Sequence, residues 1–451
     1  MCANRSCGLG ILLVAGLLIP VSCDRPEPSP PPSLDISELV IITPHGAMIR
    51  EAFADGFRRW QEDNKLPGAI TIRWIHKGTL DCQRHVYDRY AQYPESSQRR
   101  IGIDVFWGGG IAVHRDVTAR GFALPVKLSA KALEGIPAEL NGQPLYAPDG
   151  SWHGTALGGF GIVFNRSACQ ARGIPEPTTW ADLANPAYAG WVAAADPVLS
   201  GSTTQCLVLI MLKHGWEEGW GIVTGLLANA NGLLPSSSLI SPIVSSGVAM
   251  AGLEPEFVAR TTIAESPDRM DYINPPAATA ITPDPVTVLV GTSALESATQ
   301  FVEFLLSPQG QSLWALPSDV PGGPPGQPLY RYPIRPEIYQ QYKDQLVVRG
   351  NPFTEQRDFR IDDRLERAYT ILLPLLVDAA CGANHVALQQ AWQRARAQGG
   401  DSPRLAELLR PPFTLDEALE HAEACAHDPQ QALTLQKQWA ELFAERYHSG
   451  S

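Results

Sequence analysis

The stretch Ser200-Gly201-Ser202-Thr203 could do the most chemistry with the least charge. Hydroxyls and a glycine at a helix start cap it and let a ligand approach the backbone, and the first turn leaves N–H groups with no internal acceptor. Backed by the positive end of the helix dipole, such donors hold a phosphate, carboxylate or similar oxyanion without formal protein charge. Ordinary N-capping explains the same residues, so neighbouring segments must decide. His45-Gly46 and Gly108-Gly109-Gly110 each end an apolar run. They offer an imidazole that titrates near neutrality and backbone that a ligand can approach closely. The triple glycine has neither dinucleotide-loop nor P-loop spacing, and a tight turn is its other reading.

The elements that must position these residues follow from periodicity. Leu39 to Thr43 is a β-branched run typical of a buried parallel strand; Pro44-His45-Gly46 breaks it, and Ile49, Phe53, Phe57 and Trp60 follow at helical spacing. Ligands of open α/β sheets sit at the carboxyl ends of strands, where His45 and Gly46 fall. Ala69 to Ile75 predicts a second strand, ending at a helix start in Lys77-Gly78-Thr79, and Asp104 to Trp107 predicts a third. Ser151 to Arg166, with Trp152 and His153, reads as a glycine-rich crossing followed by a strand. Gly190 to Ala195 predicts the strand before Ser200, and Gln205 to Lys213 a buried helix after it. Ser246 to Gly252 predicts a strand ending near Glu254 and Glu256, and Ala277 to Val290 a second crossing. Two βα sets joined by two crossings imply a pair of lobes with a cleft between them.

Beyond the lobes, Ser297 to Trp314 predicts a helix interrupted at Ser307-Pro308, and Pro317 to Pro328 a loop. Helices are expected over Leu365 to Ala379, over His385 to Ala397, and near the end where Leu435, Trp439, Leu442 and Phe443 recur. His421, Cys425 and His427 read as an exposed helical set rather than a metal site.

Composition sets outer limits. The chain has 451 residues, 44% apolar and 18% charged, enough for two or three domains with proper cores. A net charge of -12 argues against a nucleic-acid-binding or anionic-membrane surface, so any anion must be caught locally by dipoles and a few side chains. Arg5, the apolar run Leu9 to Ile19 and Val21-Ser22-Cys23 have the layout of an export signal, with Cys23 placed like the lipidated cysteine of a bacterial lipoprotein. Pro20 departs from that motif and leaves plain secretion as the alternative. Residues 24–36 form a Pro-rich tether. Export places the five cysteines that follow Cys23 in a disulfide-permissive compartment, and Cys381 with Cys425 is the expected pair because both lie in the C-terminal helical region. No CxxC occurs.

Taken together, Ile103-Asp104-Val105-Phe106-Trp107-Gly108-Gly109, Gly159-Phe160-Gly161-Ile162-Val163-Phe164-Asn165, Thr179-Trp180-Ala181-Asp182-Leu183-Ala184-Asn185-Pro186, Ala195-Asp196-Pro197 with Ser200-Gly201-Ser202, and Phe301-Val302-Glu303-Phe304-Leu305-Leu306-Ser307-Pro308 form an ordered series. The series resembles the extracellular solute-binding proteins of bacterial ABC importers, in the type 2 periplasmic-binding group that includes the ferric-binding proteins. The resemblance covers roughly Leu39 to Leu316. It implies an α/β fold of two lobes and a hinge, with residues 37–148 and 282–320 in lobe 1 and 149–281 in lobe 2. Residues 321–451, a longer tail than the family usually has, read from their own periodicity as a mainly helical extension packing on the lobes. The resemblance also implies an anion at the helix after Ser200, and delivery of the solute to ABC permease subunits by a monomer. Ferric-binding members use a tyrosine pair for which Leu253-Glu254-Pro255-Glu256-Phe257 has no counterpart, so a small anionic solute or a metal–anion complex is expected rather than iron.

The expected ligand contacts are His45, Gly46, Trp107, Gly108, Gly109, Trp152, His153, Ser200, Gly201, Ser202, Thr203, Glu254 and Glu256, with Trp107 and Trp152 as apolar walls. No cofactor and no resident metal are expected. An exported hydrolase on the same scaffold is the alternative, although the chain has no G-x-S-x-G elbow and no H-E-x-x-H. A ligand sensor acting on a receptor is the other.

Overall fold

The computed structural model describes residues 36–92, 100–355, 359–399 and 402–448. The expected export signal, Cys23 and nearly all of the tether lie outside them. In lobe 1, β1 (Ile36–Thr43) leads into α1 (Ala47–Asp63), β2 (Ala69–His76) into α2 (Thr79–Ala91), and β3 (Val105–Trp107) into α3 (Ile111–Ala119). A short helix α4 (Ala130–Leu133) and a small hairpin, β4 (Glu139–Leu140) with β5 (Gln143–Pro144), precede β6 (His153–Gly158). The chain crosses at Gly159 into β7 (Phe160–Asn165) and α5 (Arg166–Arg172). Lobe 2 continues through β8 (Val192–Ala195), α6 (Gly201–Ala228), β9 (Ala230–Leu234), α7 (Ile240–Ser245), β10 (Ala251–Pro255), α8 (Glu256–Glu265) and β11 (Met270–Ile273). β12 (Thr282–Val288) returns to lobe 1, followed by α9 (Leu295–Leu306), α10 (Pro308–Ala315) and α11 (Pro336–Gln341).

Two five-stranded sheets result, ordered β2-β1-β3-β12-β6 and β11-β7-β10-β8-β9. β6 therefore belongs to the first sheet, so the boundary expected at residue 149 moves to Gly159. The glycine-rich segment is a lobe-1 strand because its backbone pairs with the returning β12. Another expectation fails at Ser246 to Met250, which form a turn instead of a strand. Gly247 has φ +77°, outside the β region, and β10 starts only at Ala251.

Apolar clusters cover both faces of each sheet. α1 buries Ile49, Phe53 and Phe57 against Phe301, Phe304 and Trp314 of α9 and α10, while Val86 and Val117 of α2 and α3 close the opposite face of the first sheet. Helix α6 runs 28 residues, well past the expected Lys213, through a break at Gly215. From Gly219 to Ala228 it carries no charged residue, and a second layer of helices covers it. Those helices are α12 (Asp363–Cys381), α13 (His385–Ala397), α14 (Pro403–Leu409), α15 (Leu415–His427) and α16 (Pro429–His448). Trp216 stacks on Tyr369 and Phe413, and Trp220 on Phe443, which joins this layer to the core of lobe 2. His421 packs edge-on against Phe413 and Trp439. Cys381 and Cys425 are both free thiols, correcting the expected pair; Cys381 is buried in the packing beneath α12.

The extension divides between the lobes. Residues up to about 349 stay on lobe 1, where Val347 N–H donates to the Ala315 carbonyl (2.8 Å) and Tyr332 pairs with Leu157 beside β6. Further on, Phe359 packs with Leu209 of lobe 2 and with Ala280 in the second crossing. Phe359 thus sets the chain against lobe 2 and the second crossing just before α12.

Candidate functional site

Three helices of lobe 1 start at a glycine and so carry no cap from their own N-cap side chain. Gly46, Gly78 and Gly110 are the N-cap residues of α1, α2 and α3, and none can supply a capping oxygen. All three helix starts lie at the carboxyl ends of the adjacent strands β1, β2 and β3. On the facing lobe, Ser200 caps α6 by accepting the Thr203 N–H (3.2 Å). The half-buried Gly201 and Ser202 then present first-turn N–H groups that have no acceptor within the helix. The two sets meet. A Cβ added to Gly201 would lie 3.1 Å from the Thr79 methyl, and one on Gly109 would lie 3.0 Å from that same methyl. Arg84 of α2 donates to the Val198 carbonyl just before α6 (3.2 Å), so lobe 1 and lobe 2 are in direct contact around this point.

The Gly108-Gly109-Gly110 turn is the strut of the site, with φ of +87°, +99° and +82°. Each glycine serves a different neighbour. A Cβ on Gly108 would come within 2.6 Å of His45 Nε2; Gly109 faces Thr79; and Gly110 N–H donates to Asp284 Oδ1 (2.9 Å). The Gly108 carbonyl accepts from Nε2 of His114 (3.0 Å), whose Nδ1 contacts the Thr287 hydroxyl (2.7 Å).

His45 packs edge-on to Trp107, and its Nε2 sits 3.6 Å from Asp284 Oδ2, too far for a hydrogen bond. That nitrogen, Thr203 Oγ1 and Arg331 Nε are buried without partners. Arg331 grips Asp284 at 2.5 Å, with its guanidinium over the Phe257 ring of lobe 2 and near Trp314 of lobe 1. Burial works against the Asp284 charge, but Arg331 and the other donors outweigh it and hold its pKa down at about 2.

Several expected contacts lie elsewhere. Trp107 is fully buried in the lobe-1 core with its indole N–H on Thr155, so it backs His45 rather than lining a wall. Trp152 is buried on Ile111 and Ala147, beneath the start of α3. His153 is buried beside Tyr146. Glu254 is sealed inside lobe 2 against the Ser241 hydroxyl and N–H, and burial raises its pKa to about 8. Glu256 is occupied at the hinge by Arg260, Asn274 and the Tyr332 hydroxyl. His45, Gly46, Gly108, Gly109 and the Ser200–Thr203 turn remain together. Sequence reasoning missed Thr79, Asp284 and Arg331. Asp284 did leave a signal, as a charged residue between Pro283 and Pro285 inside an otherwise apolar strand.

Residues 106–330 match the family of bacterial extracellular solute-binding proteins. The chain belongs to that family. Its fold is that of the two-lobed periplasmic binding proteins. The fructose-6-phosphate-bound AfuA from Actinobacillus pleuropneumoniae superposes with a TM-score of 0.57 at 16% identity, over 79% of this chain and 98% of AfuA. Iron-bound HitA from Pseudomonas aeruginosa gives 0.55 at 18% identity, over 79% of this chain and 99% of HitA. Among curated proteins, the phosphoglycerate transport regulatory protein PgtC of Salmonella typhimurium is 28% identical over 160 residues, or 36% of this chain. The match spans 40% of PgtC.

In this solute-binding protein, the buried histidines of lobe 1 should make the fold sensitive to acid. Burial lowers the pKa of His45 to about 3 and those of His114 and His153 to about 4. Each is neutral when folded, whereas the unfolded chain takes up protons from about pH 6.5 downwards. Stability present above pH 6.5 is therefore lost between pH 6.5 and 4. Near pH 5 the slope should approach ~4 kcal/mol per pH unit, from about three protons taken up on unfolding. Denaturant melts across this range test it, and a flat stability profile would contradict the assigned burial.

Proposed function

We propose that this protein captures a small anionic solute, best matched by a phosphate ester, between its lobes and delivers it to the membrane permease of an ABC importer. The observation that carries the reading is the meeting of Thr79, Gly109 and Gly201, which brings glycine helix starts of lobe 1 and the first turn of α6 in lobe 2 to one gap. Such a gap binds an oxyanion through N–H and hydroxyl donors, while dry surroundings strengthen each contact. Glu254 and Glu256 are already consumed, so the free groups are anion donors rather than ligands for a hard cation. The phosphorylated ligand named for AfuA and the phosphoglycerate in PgtC's name favour the same chemistry. An export signal and lipid on Cys23 would place the body at a membrane surface as a tethered monomer.

Calorimetry with orthophosphate, 3-phosphoglycerate and hexose phosphates should find micromolar binding for at least one, accompanied by compaction in small-angle scattering. If no phosphorylated compound binds, the ligand class is wrong. A second reading, in which the loaded protein signals to a receptor, is favoured by the word "regulatory" in PgtC's name. A permease and an ATPase encoded beside it would favour import. The hydrolase alternative gains nothing from the site, because His45 Nε2 is paired with no nucleophile.

A further inference from the structure

Beside the glycine strut of the site lies an ion pair that neither sheet needs. Asp284 sits in β12, in the interior of the first sheet, and Arg331 reaches it from 47 residues further along the chain. Both are more than nine-tenths buried. Removing two such charges from water is expensive, and apolar residues of similar size often serve a core as well or better. The pair is instead placed where it controls the field of the site. Asp284 Oδ1 takes the Gly110 N–H at the start of α3, so a permanent carboxylate fills one of the three glycine helix starts. The same group lies beside His45, whose ring abuts the glycine strut. Nε2 of His45 and Nε of Arg331 are polar, deeply buried and without partners, which leaves two groups of this cluster unsatisfied.

Taking the gap as an anion site, as proposed above, we propose that the Asp284–Arg331 pair sets the charge of the solute it accepts. Arg331 cancels Asp284, so a bound anion meets helix dipoles and neutral donors but no net protein charge. Either partner alone would upset this. A lone Asp284 carboxylate repels an anion held at the neighbouring helix starts, and a lone Arg331 guanidinium attracts it. Across roughly 6–12 Å at an effective dielectric of about 20, one uncompensated unit charge changes affinity by about tenfold to a hundredfold for each unit of ligand charge.

Orthophosphate is the probe, because it is mainly a dianion at pH 8 and a monoanion at pH 5.5. At pH 8, Asp284→Asn should bind it at least tenfold tighter than wild type, and Arg331→Met at least tenfold weaker. The double variant, with neither charge, should return to within about threefold of wild type. Both single-variant effects should shrink at pH 5.5, where the ligand carries half the charge. A merely structural strut shows neither the gain in Asp284→Asn nor the restoration in the double variant, and a misfolded protein cannot mimic tighter binding. If wild type binds orthophosphate while Asp284→Asn binds it no more tightly, the charge-setting role is overturned and the anion reading survives. If none of the four proteins binds orthophosphate or any phosphate ester, the anion reading itself fails and takes this role with it.

Discussion

Gly109→Val should abolish anion capture, lowering affinity at least a hundredfold, and should destabilise lobe 1. The glycine has φ +99°, a conformation that costs a β-branched residue ~1–3 kcal/mol before any contact is counted. Its Cβ would then meet Thr79 at 3.0 Å and Val113 at 3.5 Å, and the further methyls of valine would crowd the point where Gly201 approaches from lobe 2. Gly121→Ala is the matched control. That glycine also has positive φ, +71°, but a Cβ there meets nothing within 4 Å. It should lose ~1 kcal/mol of stability through backbone strain and keep its affinity. Calorimetry and thermal melts on both variants separate closure from strain. Equal binding losses in the two would mean that the strut matters only for folding.

Removing Arg115 should open the molecule. Its guanidinium, on α3 of lobe 1, contacts Asp363 and Glu366 of α12 at 3.2 Å each, and Glu366 also accepts from Gln205 of α6 (3.4 Å). The C-terminal layer packed on lobe 2 therefore reaches back to hold lobe 1. Glu366 is almost wholly buried, and burial raises its pKa despite the opposing charge of Arg115. Arg115→Ala would leave that carboxylate buried and unpaired, a penalty of ~3–5 kcal/mol that separation of the lobes relieves. The expected outcome is a larger radius of gyration in small-angle scattering and weaker anion binding. Glu366→Gln retains a group able to bond Gln205 and should open the protein much less. An unchanged radius for Arg115→Ala would show that other contacts dominate closure.

Much of the scaffold was legible because its signals are local. Strand–glycine–helix succession at residues 39–60, a strand ending at a helix start over 69–79 and a strand running into glycines over 104–110 marked the lobe-1 units, and the apolar runs on either side of Ser200 marked the corresponding unit in lobe 2. The Ser307-Pro308 interruption appears as the break between α9 and α10. What failed depended on partners distant in sequence. His153 to Gly158 is a strand of the first sheet only because β12 returns beside it. The long apolar α6 needed a cover that its own periodicity could not name, and α12 to α16 supply it.

The candidate site divides in the same way. From residue type alone, the sequence determined that glycines and hydroxyls stand at the helix starts, since few other residues allow the left-handed turn at Gly108–Gly110 or the close approach at Gly201. It could not determine which charged and aromatic side chains face the gap, because the direction of a side chain depends on sheet order and on what packs behind it. The tertiary structure sent Trp107 and Glu254 inward. It brought Arg331 across 47 residues to Asp284, because β12 lies between β3 and β6 and the segment at Tyr332 pairs beside β6. Local preference fixes where a helix begins; only the assembled sheets fix which charges it meets.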